Sequence, residues 1–147
     1  MIINETLRLH PILPFIDRVS YFSNPNDTYT LEPFGDFQIP HNMPIIFPSS
    51  AIHRDPKLWP NPDIFDPERF SAENKVNIKT GSFIPFGIGP RECIGKRLAY
   101  IVMKTALVSF LRNHEVQLED SMNDVEYSNT ICFSIPKNVT LKLIRDV

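Results

Sequence analysis

The densest chemical signal in this sequence is one cysteine set among glycines. Four of the five glycines, Gly81, Gly87, Gly89 and Gly95, fall inside GSFIPFGIGPRECIGKR. Gly87 and Gly89 can take the positive φ that a loop wrapped around one atom requires, and Gly95 permits close approach beside Cys93. A helix beginning just after Cys93 would aim its unpaired N–H groups and the positive end of its dipole at the sulfur. That favours thiolate over thiol and makes the side chain a soft metal ligand. Arg91, two residues earlier, adds positive charge for an anionic group on whatever the sulfur binds. Taken alone, the same residues also fit an inert buried cysteine on a tight turn. A phosphate cradle is excluded, because there is no GK[ST] ending and no GxGxxG with a preceding strand and a later acid.

The elements that must position this loop follow from periodicity. Ile3, Leu7 and His10 fall at i, i+4 and i+7, which predicts a helix over Ile2 to His10 with one packed stripe, stopped by Pro11; Glu5 and Arg8 lie on another face. Residues 11–50 alternate β-like runs (DRVSYF, TYTLE, DFQI, PIIF) with turn-prone SNPND, PFG and IPHN, predicting small antiparallel strands. Residues 51–82 form a proline-rich meander, with a brief helical turn at Ala51 to His53. Four prolines fall between Arg54 and Phe70. Leu58, Trp59, Ile64, Phe65 and Phe70 can pin that stretch to a core, and polar SAENKVNIKT makes an exposed excursion. The cysteine loop spans 83–95. Leu98, Ile101, Val102, Thr105, Leu107, Val108 and Leu111 then give a broad apolar face to a helix from about Ile94 to Asn113. Residues 114–147 return to strand-like EVQL, TICFSI and VTLKLI, with a turn at Pro136-Lys137-Asn138, and Cys132 in this region reads as a buried hydrophobe.

Composition narrows the class. Fourteen prolines in 147 residues, thirteen of them between Pro11 and Pro90, argue against a simple helical bundle. Hydrophobic residues at 42% and charged ones at 22% exclude disordered and collagen-like chains. With 15 basic and 17 acidic residues the net charge is -2, which gives no electrostatic reason to expect nucleic acid. Two cysteines make no disulfide framework, and no CxxC pair offers a zinc site. No run reaches the roughly 18 apolar residues needed to span a bilayer, and the opening lacks the plan of a signal peptide. Because Met1 to His10 reads as the later part of an amphipathic helix, the chain is expected to be a piece of a longer protein.

The string FGIGPRECIG, Phe86 to Gly95, resembles the haem-ligand loop of the cytochrome P450 monooxygenases, FxxGxRxCxG, at every specified position. Glu5-Thr6-Leu7-Arg8 resembles that family's ExxR helix and Pro67-Glu68-Arg69-Phe70 its PERF segment, in the family's order. The wording AIHRDPKLWPNPDIFDPERF is most similar to the microsomal, insect detoxification branch. The resemblance implies a mainly α fold with small antiparallel β-sheets (α+β), with residues 1–147 forming the C-terminal portion of a single P450 domain. It also implies haem b, oxygen insertion into a small lipophilic substrate, and electrons from NADPH through NADPH-cytochrome P450 reductase docking near Arg91 and Lys96. The implied location is the cytosolic face of the endoplasmic reticulum membrane, reached through an N-terminal region absent here. The family's distal helix, with its acid-threonine pair, does not appear in this sequence. The expectation is therefore that the 147 residues alone are inactive, and the alternative is a non-catalytic truncated product that binds haem weakly or not at all.

The resemblance also assigns residues. Cys93 becomes the axial iron ligand and the catalytic residue, with Gly95 beside the cofactor. Arg18, His53 and Arg91 are placed at the haem propionates, because two carboxylates entering a protein interior need cationic or donor partners. Phe86 is expected to shield the thiolate side from water, and Phe83 and Ile94 to line the same wall. Glu5, Arg8 and Arg69 are expected to form one buried network locking helix to loop. Trp59 and Phe70 read as core, and His10, His41 and His114 receive no role.

Overall fold

A computed structural model describes residues 1–118, 126–128, 133–137 and 139–145. Helix α1 (Ile2–Leu9) ends as expected before Pro11, but its buried face is not the apolar stripe. Glu5, Leu7, Arg8 and Leu9 are its buried residues, while His10 is exposed. A carboxylate and a guanidinium can take the inward positions because they neutralise each other and fill their remaining hydrogen bonds with backbone.

Two small antiparallel sheets follow. Strand β1 (Ile16–Val19) pairs with β4 (Pro44–Phe47), setting Arg18 opposite Ile45. Between them β2 (Thr28–Thr30) pairs with β3 (Gln38–Pro40). Asn42 turns the chain from β3 into β4 at φ 61°, a conformation its short polar side chain tolerates. Helix α2 (Ser49–Ile52) then leads into the proline-rich meander, which carries short 3-10 helices at Pro67–Phe70 and Asn74–Asn77.

The meander is ordered by aromatic packing. Trp59, 3% exposed, lies 5.8 Å from the Phe70 ring and donates its indole N–H to the Ser82 carbonyl at 3.3 Å. Phe83 closes the cluster, 4.8 Å from Phe70. Helix α3 (Lys96–Leu111) is two residues shorter at each end than its apolar pattern suggests. Gly95 caps its start, and the chain turns into β5 (His114–Leu118) directly after it. None of the residues of α3 is buried; Leu98, Ile101 and Val108 are each more than 60% exposed. One flank of the helix, with Met103, Leu107 and Phe110, faces Ile3 and Leu7 of α1 across an apolar cleft of about 520 Å³.

Strand β5 pairs antiparallel with β6 (Leu141–Arg145). Tyr127 and Pro136 form an isolated bridge, and Ser134 donates its N–H to the Ile12 carbonyl at 2.8 Å. Cys132, the first half of TICFSI and Asn138 of the expected turn lie outside the described residues. The architecture is α+β, with few helices and small antiparallel sheets. Among the described residues no helix is long and apolar enough to cross a membrane.

A cysteine loop joined to a buried charge network

The loop from Phe86 to Gly95 is shaped by its glycines. Gly87 sits at φ 78° and Gly89 at φ 79°, both in the left-handed region that side chains with a Cβ rarely adopt. At Gly87 a Cβ would also meet the Arg18 guanidinium at 3.6 Å and the Glu92 backbone at 3.7 Å. The loop contains a 3-10 turn at Gly89–Arg91 and closes when the Cys93 N–H donates to the Phe86 carbonyl at 2.8 Å, just before α3. Cys93 is a free thiol exposed to solvent, and Ile94 beside it is fully exposed. Gly95 is not in a strained conformation: a Cβ there would lie 3.8 Å from the Cys93 sulfur, an ordinary contact.

Arg18 reaches this loop from β1. Its Nη2 donates to the Arg91 carbonyl at 3.2 Å and its Nη1 to the Asp17 carbonyl at 2.7 Å. Arg91 is exposed, and among the described residues its side chain has no acidic partner. Arg18 is thus drawn to the backbone of the cysteine loop. Cys93, Ile94, Arg97, Tyr100 and Ile101 border an open pocket of about 980 Å³.

His53, expected beside Arg18 and Arg91, is turned into the core. Its side chain is fully buried, its Nε2 accepts from the Ile84 N–H at 2.9 Å, and its ring lies tilted against Phe83 with centroids 5.5 Å apart. Burial lowers its pKa from 6.5 to about 4, so the ring is uncharged at neutral pH, and its Nδ1 is buried without a hydrogen-bond partner. What it does instead is connect the cysteine loop to α1, because its own carbonyl accepts from Arg8 Nη1 at 2.8 Å.

Glu5 and Arg8 form the centre of that joint. Both are 0% exposed, and the guanidinium grips the carboxylate with two parallel bonds of 2.8 Å. Arg8 also donates to the Ile64 carbonyl at 3.3 Å and lies 5.3 Å from the Trp59 ring centroid. The carboxylate accepts a further bond from the Asp66 N–H at 2.8 Å. Arg69 approaches the same oxygen at 3.5 Å through Nε, without a hydrogen bond, while its Nη2 donates to the Asn61 carbonyl at 2.9 Å. Its contribution to Glu5 is therefore charge at a distance, while Arg8 supplies the directional contacts.

Phe86 packs on Tyr100 of α3, with ring centroids 5.4 Å apart, and the Tyr100 hydroxyl donates to Asn4 Oδ1 at 2.8 Å. Sequence reasoning missed Tyr100, Asn4 and Ile84 as parts of the site. No local pattern pairs positions 96 residues apart.

The family model described as Cytochrome P450 matches residues 1–143. Over 130 residues the chain is 42% identical to "Probable cytochrome P450 6w1" of Drosophila melanogaster, covering 88% of this chain and 25% of that protein. It is 41% identical to "Lithocholate 6-beta-hydroxylase" of Mesocricetus auratus, over 98% of this chain and 27% of that protein. With "Cytochrome P450 3A13" of Mus musculus the identity is 46%, over 80% of this chain and 22% of the relative. This chain belongs to the cytochrome P450 family, and it spans about a quarter of the length of the curated relatives it matches.

Proposed function

We propose that this chain is the thiolate-bearing portion of a haem monooxygenase that inserts one oxygen atom from O2 into a small lipophilic substrate. The observation that carries this is the free, exposed Cys93 in a loop held by two left-handed glycines, with Arg18 drawn to the Arg91 backbone beside it. The residues fit such a group: a soft ligand, two cations for its carboxylates, and an open pocket bordered by the cysteine. Haem b, when bound, supplies the activation of O2, using electrons that come from NADPH through a reductase.

Cys93 would hold the iron through its sulfur, and the Phe86 carbonyl fixes the backbone N–H of the same residue. Arg18 and Arg91 orient the two carboxylates. Phe86 keeps water from one side of the sulfur, and Gly95 leaves room for the ring. Glu5, Arg8 and Arg69 hold the meander against α1, so that the loop starts from a fixed base. Arg91 and Lys96 lie on the face where an acidic reductase surface would dock. The branch resemblance points to the cytosolic face of the endoplasmic reticulum, with attachment through a region outside these residues.

The exposed apolar residues of α3 support a second element of the reading, that the 147 residues do not turn over by themselves. The test uses this chain alone and a chimera carrying it in place of the matching segment of the Drosophila melanogaster relative. Given haem, reductase and NADPH, the chimera oxidises a lipophilic probe and the short chain does not exceed free haem. Turnover by the short chain that disappears in Cys93→Ala would contradict the second element. A haem-loaded chimera with no turnover would contradict the first.

A further inference from the structure

Two routes connect the cysteine loop to α1. One runs from Ile84 through His53 to Arg8. The other is independent of it: the Phe86 ring rests on Tyr100, and the Tyr100 hydroxyl is tied to Asn4, the residue preceding Glu5. Both Asn4 and Tyr100 are half-buried, and burial raises the Tyr100 pKa above its usual 10, so the phenol remains a donor throughout the physiological range. Tyr100 also borders the pocket that Cys93 borders.

We propose that Tyr100 and Asn4 are positioning residues for the Cys93 ligand. The Asn4 side chain fixes the Tyr100 ring, the ring fixes Phe86, and Phe86 holds Cys93 through the 2.8 Å bond from the Cys93 N–H to its carbonyl. Without the hydroxyl tie the ring can rotate away from Phe86, and the one hydrogen bond that closes the loop loses its support. The sulfur then samples positions from which it cannot hold iron as a thiolate. Neither residue belongs to the motifs that mark the loop or the charge network. The inference rests on the reading of Cys93 as the iron ligand.

The experiment compares Tyr100→Phe, Asn4→Leu and Asn4→Asp in the haem-loaded chimera by two readouts. One is the ratio of the red-shifted Soret band of the reduced carbon monoxide complex to the shorter-wavelength band of haem that has lost its thiolate. The other, in haem-free protein, is amide hydrogen exchange over residues 86–93. Loss of one hydroxyl hydrogen bond should raise the non-thiolate population and the exchange rate by about two- to tenfold in Tyr100→Phe and Asn4→Leu. Asn4→Asp keeps an acceptor and should restore both readouts. The double variant Asn4→Leu/Tyr100→Phe should be no worse than either single one. If both readouts stay at parental values in Tyr100→Phe and Asn4→Leu while Cys93→Ser abolishes the red-shifted band, the inference is wrong and the ligand assignment stands. If Cys93→Ser keeps that band, the ligand assignment fails and this inference with it.

Discussion

Removing Glu5 tests the joint between α1 and the meander most severely. In Glu5→Ala, Arg8 Nε and Nη2 lose the two 2.8 Å bonds that neutralise them, the Asp66 N–H loses its acceptor, and Arg69 loses the charge 3.5 Å away. Only the His53 and Ile64 carbonyls and the Trp59 ring remain to Arg8, all uncharged. Breaking a buried pair from one side costs roughly 3 to 5 kcal/mol, because it leaves an uncompensated charge out of water. Arg8→Ala should cost a similar amount, since it strands the carboxylate. The double variant Glu5→Ala/Arg8→Ala leaves no charge in the centre and should fall short of the summed single costs by about 2 kcal/mol. Urea titrations of the chimera and its variants, followed by far-ultraviolet circular dichroism, provide the four stabilities of the cycle. Single costs below about 1 kcal/mol, the range of an exposed pair, or costs that simply add, would refute a buried network.

His53 makes stability depend on acid. Its folded pKa of about 4 lies below the unfolded 6.5, so the folded state binds fewer protons in between. The contribution is complete above pH 6.5 and is lost as pH falls toward 4, by up to about 3 kcal/mol. Urea midpoints measured across this window should fall, and His53→Gln should flatten the fall; an unchanged slope would place the sensitivity elsewhere. Gly87→Ala should cost about 1 to 2 kcal/mol and lower haem loading, since φ 78° is closed to alanine without strain. Gly95→Ala should leave the urea midpoint of haem-free protein unchanged while weakening haem retention, and a drop in the midpoint would show that the fold itself needs that glycine.

The sequence carried the parts of the fold that obey short-range rules. The strands at Ile16–Val19, Thr28–Thr30, Gln38–Pro40 and Pro44–Phe47 lie on or beside the runs marked by alternation and turn residues. Gly87 and Gly89 adopt the positive φ their residue type allows. Of the residues expected to pin the meander to a core, Trp59 and Phe70 do so, while Ile64 and Phe65 are exposed. Periodicity misjudged α1, whose inward face holds Glu5 and Arg8 alongside Leu7, since hydropathy cannot show that two charges neutralise each other. It also gave α3 a packed face that this chain leaves exposed. The contacts of His53 with Arg8 and Ile84, 45 and 31 positions away, left no trace in local spacing. Arg18 was placed by resemblance, and its contact with Arg91 spans 73 positions that no spacing rule covers.

The central claim is that the Cys93 sulfur holds haem iron as a thiolate. Its most direct measurement is the absorbance spectrum of the reduced, carbon monoxide-bound chimera. The account predicts a strongly red-shifted Soret band that is abolished in Cys93→Ser and retained in Cys132→Ser. A parental band that survives in Cys93→Ser would contradict it.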